Sequence, residues 1–207
     1  MNIEQKSIKI VFFGNPGVGK TAIISKYVNE FGDINSPTIG ANYLEKIVKK
    51  NGKEYELNIW DTPGQTKFNS LGKHYYKEWF VAILLYDIQS QESLEALKNE
   101  WYPDLLKYGE KYTIKAVVGH EKYLGAFESD CLADEEYAKQ FVKEIRASFH
   151  IVSSYSGCGI DGLFNSLIDR FLSPEFTEKY NEMIKMKEID NPNLIKEEKK
   201  RKRGYKR

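Results

Sequence analysis

Cysteine is scarce in this sequence. Only Cys131 and Cys158 occur in 207 residues, too few to staple a secreted scaffold, so a reducing, cytoplasmic setting is expected. No apolar run approaches the roughly 20 residues needed to cross a bilayer. The opening stretch, MNIEQKSIKIVFFG, lacks the basic flank, long apolar core and small-residue cleavage site of a secretory leader. No cysteine stands near the C-terminus, which leaves no prenylation site in this sequence. No internal repeat is present. The composition, 41% hydrophobic and 29% charged, is that of a globular chain long enough to bury one substantial core.

The net charge of +1 conceals an asymmetry. Residues 196–207, KEEKKRKRGYKR, carry eight Lys/Arg against two Glu, so this tail is +6 and the remainder −5. A block of like charge is ordinarily a solvated tail. It can also meet an anionic membrane surface, where each basic residue adds ~1 kcal/mol, so peripheral attachment at membranes is a second expectation. An import-like signal and nucleic acid stay open, with nucleic acid disfavoured.

Apolar runs at 8–13, 80–86 and 114–118 are short, rich in β-branched and aromatic residues, and end near Gly or Asp, as buried strands do. Helical patterns near 19–29, 92–107 and 134–147 separate them, which predicts a parallel sheet covered on both faces. Residues 42–50 and 53–60 flank Asn51-Gly52, a strong hairpin signal that adds one antiparallel edge strand. The helix expected at 161–172 is followed by Ser173 and Pro174, suited to capping and starting another. The expected division is a nucleotide-type domain at 1–173, a helical extension at 174–191 and a basic tail at 192–207.

GNPGVGKT at 14–21 follows a predicted strand and precedes a predicted helix, the context in which this pattern cradles phosphates. Asn15, Pro16, Gly17, Val18 and Gly19 form the loop and Ala22 follows in the helix. Glycines let backbone N–H groups approach an anion at a helix N-terminus. Lys20 brings an ammonium to the outer phosphates, and the Thr21 hydroxyl is a Mg²⁺ ligand. WDTPGQ at 60–65 adds Asp61 for the metal, a Gly64 N–H for a terminal phosphate and Gln65 to orient an attacking water. Between these motifs, SPTIG at 36–40 offers hydroxyls in a long loop.

At these residues the sequence resembles the Ras-like small GTPases, most closely the Rab branch. The resemblance is carried by GNPGVGKT, PTIGANY at 37–43, LNIWDTPGQ at 57–65, KFNSLGKHYYKEWFVAILLYDI at 67–88 and QESLEALKNEW at 91–101, and covers roughly residues 6–172. It implies the P-loop small GTPase fold, a six-stranded mixed sheet flanked by helices. It also implies a Mg²⁺-dependent GTP/GDP switch with slow GTP hydrolysis, used in vesicle trafficking or related signalling. Thr38 maps to the threonine that ligates Mg²⁺ in the triphosphate state, and Gln65 to the catalytic glutamine. Tyr43, Trp60 and Tyr75 map to aromatics that Rab proteins present to effector and regulatory partners; aromatic packing across the hairpin is the alternative reading for them.

The sequence departs from the family pattern in two places. Pro16 and Pro63 replace commoner residues, and a proline removes one N–H and fixes φ. More consequential is VVGHEKYL at 117–124. There the family carries Asn-Lys-x-Asp, whose aspartate accepts two hydrogen bonds from guanine; His120, Glu121 and Tyr123 stand instead. Ser153-Ser154-Tyr155 replaces Ser-Ala-Lys. Ser154 keeps a backbone N–H for the guanine carbonyl, Tyr155 offers a ring for stacking, and Phe31 is the candidate edge contact. Hydrogen bonds to a charged group contribute about 1.5–3 kcal/mol each, so losing two weakens guanine binding by roughly 10²–10⁴-fold. Two further functions remain open at this level: a pseudo-GTPase interaction module without switching, and a P-loop NTPase with relaxed base specificity.

Overall fold

The structure is a computed structural model that describes residues 7–28, 42–62, 80–109, 112–123 and 132–190. Six strands form one sheet: β1 (Ser7–Phe13), β2 (Asn42–Lys50), β3 (Lys53–Asp61), β4 (Val81–Asp87), β5 (Ile114–Glu121) and β6 (Ser148–Ser153), in the order β2-β3-β1-β4-β5-β6. Among the described strands only β2 and β3 pair antiparallel. Asn51 (φ 53°) and Gly52 (φ 73°) form their turn, two consecutive left-handed residues whose twist matches the strands they join.

Period-two alternation divides the sheet between two cores. Ile8, Ile10 and Phe12 of β1 face one side with Val81, Ile83 and Leu85 of β4. The side chains of α1 (Lys20–Val28), α5 (Ile160–Phe171) and α6 (Pro174–Asp190) cover them. Val11 and Phe13 face the other side with Ala82, Leu84 and Tyr86. There α2 (Gln91–Ala96), α3 (Tyr102–Tyr108) and α4 (Glu135–Ile145) close the second core. Strands buried on both faces read as continuous apolar runs, which is why β1, β4 and β5 are plain in the sequence.

The helix ends follow their capping residues. Ser90 accepts from the Ser93 N–H at 3.1 Å, and Asp134 from the Tyr137 N–H at 3.0 Å; each such cap contributes about 1 kcal/mol. Ser173 Oγ accepts from the Phe176 N–H at 3.2 Å, and α6 starts at Pro174 as its sequence indicates. Phe176 and Tyr180 then pack edge-on against Phe80, with Met183 buried beside them.

Two expectations are corrected. The uniform helix expected over 92–107 contains a π-helical turn at Leu97–Trp101, in which the Tyr102 N–H reaches back to the Leu97 carbonyl. Pro103 supplies the reason, because its ring cannot sit over the carbonyl four residues earlier and has no N–H to donate to it, so the preceding turn widens. The strand expected to end at 118 runs on to Glu121, which places His120 inside the sheet with 1% exposure.

Among the described residues, no helix is long and apolar enough to cross a membrane.

Candidate functional site

The described candidates for holding a nucleotide gather at the carboxyl ends of β1, β3, β5 and β6. The loop after β1 turns through Asn15, Pro16, Gly17, Val18 and Gly19 into α1. Val18 anchors it in the core. Lys20, 5% exposed, folds back beneath the loop and donates to the Gly14 carbonyl at 2.8 Å and the Asn15 carbonyl at 3.0 Å. Burial lowers its pKa to about 8, against the opposing pull of the Asp61 carboxylate. A partly desolvated ammonium held under a loop is ready to take an anion in place of those carbonyls.

Thr21, in the first turn of α1, donates its hydroxyl to Asp61 Oδ2 at the end of β3. The buried Asp61 is fixed by its strand, and the next residue, Thr62, donates to the Phe12 carbonyl at 2.6 Å. A hydroxyl and a carboxylate drawn together beside a lysine fit a hard divalent cation that shares its oxygens with phosphate. Ala22 lies half-buried in α1, one residue further on.

The loops expected to read a base are joined through His120. Its Nδ1 lies 2.7 Å from the Val18 carbonyl, and its Nε2 lies 2.8 Å from Ser154 Oγ and 3.3 Å from Ser154 N. One imidazole thus ties the phosphate loop, β5 and the loop after β6 together. Gly19 (φ +98°) packs so closely on this ring that an added Cβ would overlap it. Burial lowers the His120 pKa, opposed by its bond to Val18 and by the charge of Asp87.

The Ser154 backbone N–H, expected to meet a base carbonyl, donates to His120 Nε2 in this structure. Ser153 is buried, with its N–H donating to the Cys158 carbonyl at 3.0 Å. Tyr155 and Tyr123 are each 63% exposed, so neither ring fills the space the missing family side chains leave.

Three contributors escaped the sequence reading. Lys122 donates to the Gly17 carbonyl at 3.3 Å and pairs with Asp87 at 2.6 Å. Residues two apart in an extended strand share a face, so Lys122, and not Glu121, follows His120 toward the phosphate loop. That alternation was the available signal. Asp87, at the end of β4, also accepts from the Gln89 N–H at 3.0 Å. The third is Trp101, whose Nε1 donates to Asn15 Oδ1 at 2.8 Å.

Tyr43 and Trp60 pack against each other across the hairpin, ring centroids 4.9 Å apart, and Tyr43 remains 43% exposed. Its hydroxyl bonds to Glu45 and Asn58. Phe31, Thr38, Gly64, Gln65 and Tyr75 lie outside the described residues.

Comparison with known proteins places the chain in a family. The Ras family model matches residues 9–173. Ras-related protein Rab-31 of Rattus norvegicus is 32% identical over 163 residues, 78% of this chain and 82% of that protein. Ras-related protein Rab-22A of Mus musculus is 32% identical over 171 residues, 82% and 86% of the two chains. Ras-related protein Rab-21 of Bos taurus is 33% identical over 167 residues, 80% and 73% of the two chains. The chain belongs to the Ras family of small GTPases, on its Rab-like branch.

Proposed function

We propose that this protein is a Mg²⁺-dependent nucleotide switch that binds GTP and GDP, hydrolyses GTP slowly and serves vesicle trafficking or related signalling. The observation that carries the reading is Lys20, buried beneath the phosphate loop next to the Thr21–Asp61 contact, in a chain of this family. In this reading Lys20 takes the outer phosphates, while Thr21, Asp61 and Thr38 hold Mg²⁺, which neutralises charge on them. Gly64 offers its N–H to the terminal phosphate, and Gln65 orients the attacking water. Phe31 and Tyr155 flank the base. Ordering of the segments at 30–43 and 61–76 would report the third phosphate to partners that meet Tyr43, Trp60 and Tyr75.

The extension at 174–191 and the basic tail at 192–207 complete the proposed organisation, the tail as a contact for an anionic membrane surface. The test is titration of nucleotide-free protein with GTP and GDP, with and without Mg²⁺. Tight binding that needs Mg²⁺ and is lost in Lys20→Ala is expected, with hydrolysis lost in Gln65→Leu. Unchanged hydrolysis in Gln65→Leu would remove that residue's role. The internal use of the Ser154 N–H favours, as a second reading, an interaction module without switching. Partner binding that ignores nucleotide state would establish it.

A further inference from the structure

The reading that follows rests on the nucleotide function proposed above and concerns the base. A guanine ring offers one carbonyl that needs a donor and an N–H edge that needs an acceptor; adenine offers the reverse. A site discriminates between them by unpaired groups placed to meet one pattern and not the other.

In this chain the donor is already engaged. The Val18 carbonyl can only accept, so His120 Nδ1 carries the proton that bridges the 2.7 Å between them. Nε2 is therefore the acceptor, and it takes both the Ser154 hydroxyl at 2.8 Å and the Ser154 N–H at 3.3 Å. The charged groups around the ring are Asp87, Lys122 and Glu121, and burial favours the neutral imidazole that this pattern requires.

Among the described residues an acceptor for the N–H edge is missing as well. Position 123 presents an exposed tyrosine and not a carboxylate. The Asp87 carboxylate is held by Lys122 at 2.6 Å and by the Gln89 N–H. Glu121 lies one residue from His120 along β5, opposite Ser153 in the register, and so faces the other side of the strand. What the described residues leave for a base is a set of faces: the Lys122 stem and the open ring of Tyr155. Packing and stacking of that kind tolerate any purine.

We propose that this protein selects its nucleotide by the phosphates and not by the base, with His120 as the specificity-determining residue. Its ligands are then purine nucleoside di- and triphosphates as a class, including ATP and ITP alongside GTP.

The experiment is calorimetric titration of the nucleotide-free full chain with GTP, ITP and ATP in Mg²⁺, for wild type and for the double variant His120→Asn, Tyr123→Asp. Wild-type dissociation constants within about tenfold of one another are expected. The double variant restores an acceptor and releases the Ser154 N–H, and its preference for GTP over ATP should rise at least tenfold. A wild-type preference for GTP of a hundredfold or more overturns the proposal, as does a double variant that binds GTP with no gain in preference. Binding of no nucleotide overturns the nucleotide function itself, a result distinct from binding confined to guanine.

Discussion

The indole Nε1 of Trp101 donates to the side-chain oxygen of Asn15 across 2.8 Å, tying a π-helical turn to the phosphate loop. A neutral hydrogen bond of this sort contributes about 0.5–1.5 kcal/mol. Trp101→Phe should therefore weaken nucleotide binding about two- to twelvefold. Asn15→Ala should cost a similar amount, and the double variant little more, because the two changes remove one interaction. Strict additivity in the titrations would show that the bond does not hold the loop.

Lys20 sets a limit on pH. Burial brings its pKa down to about 8 from an ordinary 10.5, and phosphate binding favours the protonated form. Affinity should be full below pH 8 and fall as pH rises through it, more than two units earlier than for an exposed lysine. At pH 8.5 binding should take up a proton, visible as a heat of binding that changes with the ionisation enthalpy of the buffer. Equal heats in phosphate and Tris buffers would contradict this.

His120 acts at the acid end. Its folded pKa lies below the ordinary value of 6.5, chiefly through burial, so the unfolded chain takes up the proton first as pH falls. The stability that neutral His120 contributes is then present in full above about pH 6.5 and lost progressively below it. His150 is shifted in the same direction by burial, so the comparison must be with a variant. The melting temperature should fall less steeply between pH 7 and 5 in His120→Asn than in wild type. Parallel curves would mean that His120 titrates without linkage to folding.

Phe176 roots α6 in the core through ring contacts with Phe80, Phe171 and Tyr180. Phe176→Ala should destabilise the protein by about 3 kcal/mol, read as a lower midpoint in urea. Nucleotide affinity should hold, since Phe80 precedes β4 at the end of the sheet away from the phosphate loop. A midpoint that does not move would show that α6 contributes nothing to the fold.

The legible parts of this structure had local causes. Asn51-Gly52 announces its hairpin because two left-handed residues are costly for most other side chains. β1, β4 and β5 show as apolar runs because helices cover both faces. The phosphate loop was read from its spacing and from its place between a strand and a helix. His120 was not legible in the same way: its partners Val18 and Ser154 lie 102 and 34 residues distant, and no local pattern reports such a meeting. The π-helical turn was within reach, since Pro103 stands inside the helical pattern, but its consequence, Trp101 reaching Asn15, depends on how the helix docks.

The rooting of α6 gives the molecule two poles. Phe80, Phe176 and Tyr180 gather at the amino end of β4, and Asp87 and the phosphate loop stand at its carboxyl end. Seven strand residues separate the two by about 23 Å. Any tether acting through α6 would therefore pull on the pole remote from the phosphate loop and leave the opposite pole facing outward. Orientation relative to an anchoring surface is in this way a property of the folded domain, set by where one helix docks.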